Sequence, residues 1–418
     1  MRSIGKTMRN SLPAIGLGLM SAVGVVALAA PAALAQAKAS SEEFANAITD
    51  ASKLVKEKNC NAALPKIEQA ISLGKGVSEK SPAAGMKVYC YQVLNNQAKV
   101  IEAIEQHRQI GGVDAATNER YNSTLMAAYD ATRQPAKAME LAKAQIAAGK
   151  ADHKIYGFLA SKSLEAKDYA NALTYGQKAI DLAGAKPPKD YYNIILKANL
   201  DTKKMDAYYA ALEKAAVLYN DPIYWKPLVE ATRKQPKFKE QVYGVDLFRA
   251  FEQAKVQLTA QDRSMWGEYA MNRGVPLEAD KILSPLVASG DFGGPKDPKA
   301  ARNKGFYETV QKNAKADKAG GLTKTEADAA AKPTGATYIT VGESYMATGD
   351  YAKAIDVFQK GLAKGAMEPG DTDYAKLKLG IAQLKAGKKE DARKTWADVK
   401  ADNGSAWLAR VYTSLSKV

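Results

Sequence analysis

The sequence predicts an all-α protein built from about nine to ten successive helix pairs, with a single capping helix at the C-terminal end. Two observations predict this fold. A two-helix pattern occurs twice between Tyr338 and Val399, and a series of small residues continues its spacing back towards the N-terminus. The chain of 418 residues is 46% hydrophobic, which is enough apolar material for a large core.

The two-helix pattern gives each pair a place where the helix axes can approach closely. A glycine on the first helix and an alanine early on the second leave room, and an aromatic side chain one turn later supplies apolar bulk. A second glycine ends the first helix because it accepts a left-handed conformation. In chain order, the two copies read Gly342, Gly349, Ala354 and Phe358, then Gly380, Gly387, Ala392 and Trp396.

This pattern resembles the tetratricopeptide repeat (TPR), a helix pair of about 34 residues with an aromatic residue, Leu-Gly, Tyr, Ala and Phe at set intervals. Tyr338 replaces the usual Trp, and the closing proline is displaced to Pro369. The resemblance implies a right-handed α-α superhelix, a TPR-like solenoid that presents the first helix of each pair along a concave groove.

Small residues at the second-helix position can be followed through most of the chain. They are spaced 34 to 40 residues apart, except for one gap of 75 that fits two repeats and leaves a missing position near residue 316. Tyr208 is too large for this position, so we expect its helix pair to sit further apart. The members are Ala63, Ala103, Ala138, Ala172, Tyr208, Gly244, Ala279, Ala354 and Ala392.

The pattern divides the mature chain into three parts. Residues 38–289 hold the N-terminal and central repeats, and residues 336–418 hold the C-terminal pair with its capping helix. Residues 290–335 interrupt the pattern with Gly293-Gly294-Pro295 and a Lys-rich helix. This interruption indicates either a degenerate repeat or a Lys-rich insertion.

Residues 1–37 predict a secretory signal peptide. Basic residues precede an apolar run from Leu12 to Ala30, and small residues then offer cleavage after Ala35 or Ala37. An uncleaved membrane anchor is the alternative, because the run is nearly long enough to span a bilayer. With the signal removed, we expect no transmembrane segment and a periplasmic location, with secretion also open.

The chain is strongly basic. Its formal charge is +15, and loss of Arg2, Lys6 and Arg9 with the signal peptide lowers this to +12. Lysines alternate with acidic residues along the helices, so a solvated outer face accounts for most of the charge. For an exported protein we expect no nucleic-acid partner, and a basic patch would instead select an anionic envelope polymer or lipid head groups.

The chain has two cysteines, Cys60 and Cys90, and an even pair in an exported protein predicts a disulfide. The repeat spacing places Cys60 at the start of the second helix of the first pair, and Cys90 on the first helix of the next. Closing this loop would stabilise the fold by roughly 3–4 kcal/mol in the chain-entropy model. Two separate buried thiols are the alternative.

We find no catalytic or metal-binding motif in the sequence. His107 and His153 are the only histidines, and we expect each to be an exposed helix or loop residue. Zinc-protease, CxxC, nucleophile-elbow and phosphate-loop patterns do not occur, and two Ser-x-x-Lys matches lack partner motifs. The sequence therefore predicts neither an enzyme nor a bound cofactor.

A protein or peptide partner, bound along the concave groove, is the function that remains. The Lys/Asn/Arg set with which the TPR family binds peptide carboxylates is not found, so we do not expect chaperone C-termini as partners. The repeat spacing places ten side chains towards the groove, namely Gln92, Asn96, Tyr121, Ser123, Lys154, Ser161, Asn193, Lys197, Glu343 and Met346.

These observations together predict an exported, non-enzymatic TPR scaffold that mediates protein–protein interactions in the bacterial cell envelope. One alternative is a binder of an anionic envelope polymer or of lipid head groups through a basic surface. The other alternative is an accessory subunit of an enzyme.

Overall fold

The computed structural model of the protein describes residues 42–235, 237–365, 367 and 369–418. Throughout these residues the chain is helical and contains no β-strand, so the predicted all-α fold of successive helix pairs is confirmed. In the same residues, no helix is both long enough and apolar enough to cross a bilayer. The predicted signal peptide lies outside the described residues.

The helices belong to two compact units that divide between Lys203 and Lys204. This boundary falls inside the helix pair in which Tyr208 breaks the small-residue series. The segment 290–335 and the last pair both belong to the C-terminal unit. The N-terminal unit contains α1 (Glu42–Lys56), α2 (Cys60–Leu73), α3 (Val77–Val93), α4 (Gln97–Ile110), α5 (Ala115–Ala131), α6 (Pro135–Ala147), α7 (His153–Glu165), α8 (Tyr169–Leu182) and α9 (Lys189–Asp201). The C-terminal unit contains α10 (Met205–Tyr219), α11 (Pro222–Thr232), α12 (Glu240–Gln253), α13 (Ala260–Asn272), α14 (Pro276–Ala288), α15 (Ala300–Ala316), α16 (Leu322–Ala331), α17 (Ala336–Thr348), α18 (Tyr351–Lys364), α19 (Pro369–Lys385), α20 (Lys389–Ala397) and α21 (Gly404–Leu415).

The members of the small-residue series are buried and lie on second helices. Eight of the nine fall within the first five residues of a second helix, and Ala103 lies in the middle of α4. Even Tyr208 is only 2% exposed, although its hydroxyl has no hydrogen-bond partner among the described residues. The spacing of small residues in the sequence therefore located the second helices correctly.

The turns inside the pairs share one backbone conformation. Gly349 and Gly387, which predicted the turns of the last two pairs, have φ of +84° and +79°. In other pairs a larger residue takes the same left-handed conformation, which costs a lysine or arginine about 1–2 kcal/mol. These residues are Lys58, Asn95, Arg133, Lys167 and Lys203. The turn geometry thus persists where the glycine pattern in the sequence has disappeared.

Residues 290–335 contain two helices with altered spacing. These are α15 and α16, joined by a kink at Asp317–Gly321 where Gly320 has a φ of +96°, and they pack mainly on α14 and α17 respectively. Position 316, where the series would place a small residue early on a second helix, is instead the last residue of α15. Ala314 and Leu322 pack with Leu277 of α14, so the segment shares a core with the preceding pair.

A disulfide joins Cys60 to Cys90, with their Cα atoms 5.0 Å apart. Cys60 is the first residue of α2 and Cys90 lies in the last turn of α3, so the bridge ties the first helix pair to the second. Both residues are buried among the side chains of α1, α2 and α3. The bridge therefore belongs to the core of the N-terminal unit.

The C-terminal unit closes on itself through its last helix. α21 packs against α19 and α20, as a capping helix should, and also against α10, α11 and α12 from the start of the unit. The Tyr412 hydroxyl donates to the carbonyl oxygen of Asp246 at 2.7 Å, and the Ser414 hydroxyl donates to Glu213 at 2.6 Å. This unit is therefore not an open-ended run of repeats.

The glycines on the first helices are required by their aromatic partners. A Cβ atom added at Gly342 would lie 2.6 Å from Cε1 of Phe358, and one added at Gly380 would lie 2.1 Å from Nε1 of Trp396. Neither distance is compatible with van der Waals contact. The close approach that the sequence pattern implied is therefore present in both pairs.

We expect Gly342→Ala to lower the free energy of unfolding by up to about 2 kcal/mol. Overpacking costs about 1–3 kcal/mol, and the higher helix propensity of Ala offsets about 1 kcal/mol of this. Gly305→Ala in α15 is the matched control, because no atom lies within 4 Å of the added Cβ, and it should stabilise by up to about 1 kcal/mol. Chemical denaturation of both variants measures the difference, and equal effects would contradict the packing argument.

A buried charged network and its adjoining cavity as the candidate functional site

Six charged side chains meet in the interior of the C-terminal unit. Asp246, Glu343 and Lys378 have completely buried side chains, and Arg249 and Glu278 are less than one-tenth exposed. The sixth, that of Arg273 at the end of α13, is 28% exposed. They are supplied by α12, α13, α14, α17 and α19, so the network joins helices from the beginning and the end of this unit.

Lys378 lies at the centre of the network. Its Nζ donates to Oδ2 of Asp246 at 2.8 Å and also to Oε1 of Glu343. The ammonium group sits over the ring of Tyr374, 4.3 Å from the centroid. Two carboxylates and an aromatic face therefore replace the water that this ammonium would have outside the protein.

Arg249 connects two of the acidic residues. Its NH1 donates to Oδ1 of Asp246 at 2.8 Å, and its Nε and NH2 donate to the two carboxylate oxygens of Glu278, with 2.9 Å for Nε. Glu278 Oε1 also accepts from the indole N–H of Trp266 at 3.0 Å. This forked guanidinium–carboxylate pair fixes the orientation of both side chains.

The three carboxylates of the network balance its three cations. Burial alone would raise the pKa of Asp246, but Lys378 and Arg249 together lower it below its usual range. Burial opposes the charge on Arg249, yet Glu278 and Asp246 raise its pKa well above the ordinary value. Burial, together with Glu343 and Asp246, raises the pKa of Tyr374, so its phenol stays protonated.

One oxygen in the network lacks a hydrogen-bond donor. Oε2 of Glu343 is buried and has no hydrogen-bond partner among the described residues, although NH2 of Arg273 lies 3.9 Å away. This oxygen is therefore held by electrostatic attraction only. Removing a cation from the network would therefore leave this oxygen without a compensating positive charge.

A cavity of about 60 Å³ adjoins the network. Arg249 and Glu278 form part of its wall, and Lys281 and Lys385 bring two further cations. Burial lowers the pKa of Lys385, since Glu252 only partly offsets the lost solvation and the charges of Arg249 and Lys281. The apolar part of the wall consists of Trp266, Ile282, Met346, Ala347, Tyr351 and Ile381.

The ten predicted groove residues do not share one environment. Gln92, Ser123 and Lys154 are exposed on first helices, and Asn193 and Lys197 are half-buried. Asn96 is exposed but caps α4, where its side chain accepts from the N–H of Lys99 at 3.2 Å. The expected exposure is wrong for four residues that pack inside the protein, which are Tyr121, Ser161, Glu343 and Met346.

The expectation that both histidines are exposed is wrong for His107. It is 5% exposed, with Nε2 2.8 Å from the Ser81 hydroxyl and Nδ1 2.6 Å from the Tyr121 hydroxyl. These contacts join α3, α4 and α5. His153 is half-buried and lies 2.9 Å from the Tyr191 hydroxyl through its Nδ1.

Sequence reasoning missed the charged network as a set. Glu343 was identified, but as a groove residue. A signal does exist, because Glu343 follows Gly342, Lys378 lies between two leucines, and Asp246 lies between Val245 and Leu247. A charge inside the apolar stripe of a helix indicates a buried partner, but the sequence cannot name that partner.

We expect Lys378→Met to lower the free energy of unfolding by about 3–5 kcal/mol, because it leaves Asp246 and Glu343 buried without their shared cation. Lys376→Met, two residues away, is the matched control and should cost less than about 1 kcal/mol, since its pair with Asp373 is partly exposed. Adding Glu343→Gln to Lys378→Met should recover part of the loss. A double variant no more stable than the single one would contradict the electrostatic account.

We expect His107 to make the stability of the protein depend on pH. Burial lowers the pKa of His107, so the unfolded chain takes up this proton at a higher pH than the folded protein does. Its contribution is complete above about pH 6.5 and is lost as the pH falls. His107→Gln should therefore reduce the drop in melting temperature between about pH 7.5 and about pH 5.5. His153→Gln is the control, and a wild-type drop in His107→Gln would refute the assignment.

Comparisons with known proteins leave the family open. No family model and no curated protein matches this sequence. Among solved structures, the chain is similar to one in the crystal structure of the APC/C hetero-tetramer Cut9-Hcn1. The identity is 12% and the TM-score 0.26, over 79% of this chain and 67% of that one. A TM-score this low carries no argument, so the description of the fold depends on the helix packing itself.

Proposed function

We propose that the protein is an exported, non-enzymatic scaffold that binds protein partners in the bacterial cell envelope. One observation supports this proposal most directly. In the N-terminal unit, the first helices of successive pairs are neighbours, so their exposed side chains can act together as one surface. Helical-repeat proteins bind extended peptides and helices on surfaces of this kind.

Contacts between first helices run the length of this unit. Gln92 of α3 donates to the Thr124 hydroxyl of α5 at 3.3 Å. Lys162 of α7 forms an ion pair with Asp130 of α5 at 2.7 Å. α1 packs against α3, and α7 packs against α9. A partner lying across these helices would therefore meet a continuous, polar, hydrogen-bonding surface.

The proposal of export has two supports. The first is the predicted signal peptide of residues 1–37, with cleavage after Ala35 or Ala37. The second is the bridge between Cys60 and Cys90, because disulfides persist in oxidising compartments such as the periplasm. On this basis we propose a periplasmic location for the mature protein.

We expect the mature chain, isolated from the periplasmic fraction, to begin at Gln36 or Lys38 and to capture a saturable protein partner after mild crosslinking. The double variant Ser123→Glu/Lys154→Glu, on α5 and α7, should reduce capture about tenfold or more, because it lowers the charge of this surface by three units and alters the hydrogen bonding of both side chains. Mass spectrometry of the captured material and of the mature N-terminus gives the measurement.

A closely matched control lies on α8. Thr174→Glu/Lys178→Glu changes the charge by the same amount, and the hydroxyls of Ser123 and Thr174 each donate to the carbonyl four residues before them in the wild-type chain. This control should bind as well as the wild type. Equal loss in both variants would indicate a general charge effect and oppose the first-helix surface.

A basic surface that binds an anionic envelope polymer is the second candidate. It is favoured by α15, where Lys304, Lys312 and Lys315 are exposed and have no ion-pair partner among the described residues. Salt discriminates between the two candidates, because binding through exposed charges weakens steeply as ionic strength rises. Capture that persists at high salt supports the protein partner, and loss of all binding supports the polymer.

A further inference from the structure

The cavity beside the charged network has more positive than negative charge available to a ligand. Arg249 and Glu278 are committed to each other through two hydrogen bonds. The remaining charged side chains on the wall are Lys281, Lys385 and Glu252. Two ammonium groups thus face one carboxylate, which leaves an excess of one positive charge.

The available cations are weakly neutralised. Lys281 has no ion-pair partner among the described residues, and Nζ of Lys385 lies 3.9 Å from the nearer oxygen of Glu252. The Glu252 side chain is 51% exposed and the Lys385 side chain only 26%, so water screens the acid more than the base. An anion entering the cavity would restore solvation that Lys385 has lost on burial.

The carboxylates of the wall are poorly placed to hold a cation. Both oxygens of Glu278 accept from Arg249, and one also accepts from Trp266. Glu252 is the one remaining acid of the wall, and its side chain is about half exposed and lies beside Lys385. A solvent-exposed carboxylate that already faces an ammonium group attracts a further cation only weakly.

The apolar part of the wall restricts the ligand further. Trp266 and Met346 face the cavity together with Ile282 and Ile381. A ligand that has no apolar part, such as phosphate, would make no apolar contact with these four side chains. A volume of about 60 Å³ accepts a few heavy atoms, and this excludes a long chain.

We propose that this cavity binds a short organic monocarboxylate, with the carboxylate between Lys281 and Lys385 and the apolar body against Trp266 and Met346. The charge excess matches a single negative charge. The proposal concerns the C-terminal unit and is independent of the proposed scaffold function. It gives this part of the chain a small-molecule ligand.

Isothermal titration of the mature protein tests the proposal. The probes are acetate, propionate, butyrate, inorganic phosphate and the neutral analogue butyramide, all at one ionic strength. We expect saturable one-to-one binding of propionate or butyrate, weaker binding of acetate and phosphate, and none of butyramide. Equal binding of butyramide would refute recognition of the anion, and equal binding of phosphate would refute the apolar subsite.

Variants test the two lysines. Lys385→Met and Lys281→Met should each weaken carboxylate binding by about 10- to 100-fold, the range for losing a charged hydrogen bond. Lys388→Met, exposed in the turn after α19, is the control and should leave binding unchanged. If Lys385→Met fails to fold, Lys281→Met still tests the proposal, because Lys281 is exposed. Unchanged affinity in Lys281→Met, or no saturable binding by any carboxylate, would overturn the proposal.

This test and the test of the scaffold function can fail separately. The capture experiment changes Ser123 and Lys154 in the N-terminal unit, and the titration changes Lys281 and Lys385 in the C-terminal unit. Carboxylate binding without partner capture would leave the inference intact and remove the scaffold proposal. Partner capture without carboxylate binding would leave the scaffold proposal intact and remove the inference of a carboxylate site.

Discussion

The close contact between the two helices of a pair is the interaction on which the structure depends. It requires a residue with little or no side chain on at least one helix, as at Gly342 against Phe358 and at Gly380 against Trp396. Where this contact is kept, the second helix starts at the expected place and its small residue is buried. Where the spacing changes, α15 packs on α14 and α16 packs on α17, and neither helix follows the spacing of the small-residue series.

The two units use the same helix pairs in different ways. In the N-terminal unit, hydrogen bonds such as that between Gln92 and Thr124 connect first helices and leave polar side chains exposed. In the C-terminal unit, Lys378 and Asp246 meet in the interior although they are 132 residues apart in sequence. In the same unit, α21 packs against α10, α11 and α12. A closed unit of this kind has an interior of its own, which suits a small ligand better than an extended peptide.

From the general behaviour of buried ion pairs we infer that the charged network contributes to specificity more than to net stability. Replacing a complete buried ion network by apolar side chains is often neutral, whereas removing one member is costly. The network therefore penalises any arrangement in which α12 and α19 fail to meet, because Asp246 and Lys378 would then be buried alone. This requirement selects the closed arrangement over other packings of the same apolar helices.

Much of the fold follows from local sequence. The helix pairs, the burial of the small-residue series and the left-handed turns at Gly349 and Gly387 depend on contacts within one pair, and short-range spacing encodes such contacts. The placement of Cys60 and Cys90 on neighbouring helices also follows from the repeat spacing. At Lys58 and Arg133 the same left-handed turn is made by residues that lack the conformational freedom of glycine.

The tertiary structure alone decides which charged residues meet. Glu343 reads as a surface residue in its own helix, and its partner Lys378 lies on the first helix of the next pair. His107 gives no sign of burial until α3 and α5 bring Ser81 and Tyr121 to its two nitrogens. The spacing of a repeat determines which helices are neighbours, but contacts across the interior depend on how all pairs of a unit pack together. For this reason the sequence by itself determined the architecture of the repeats, and only the packed structure revealed the charged network and its cavity.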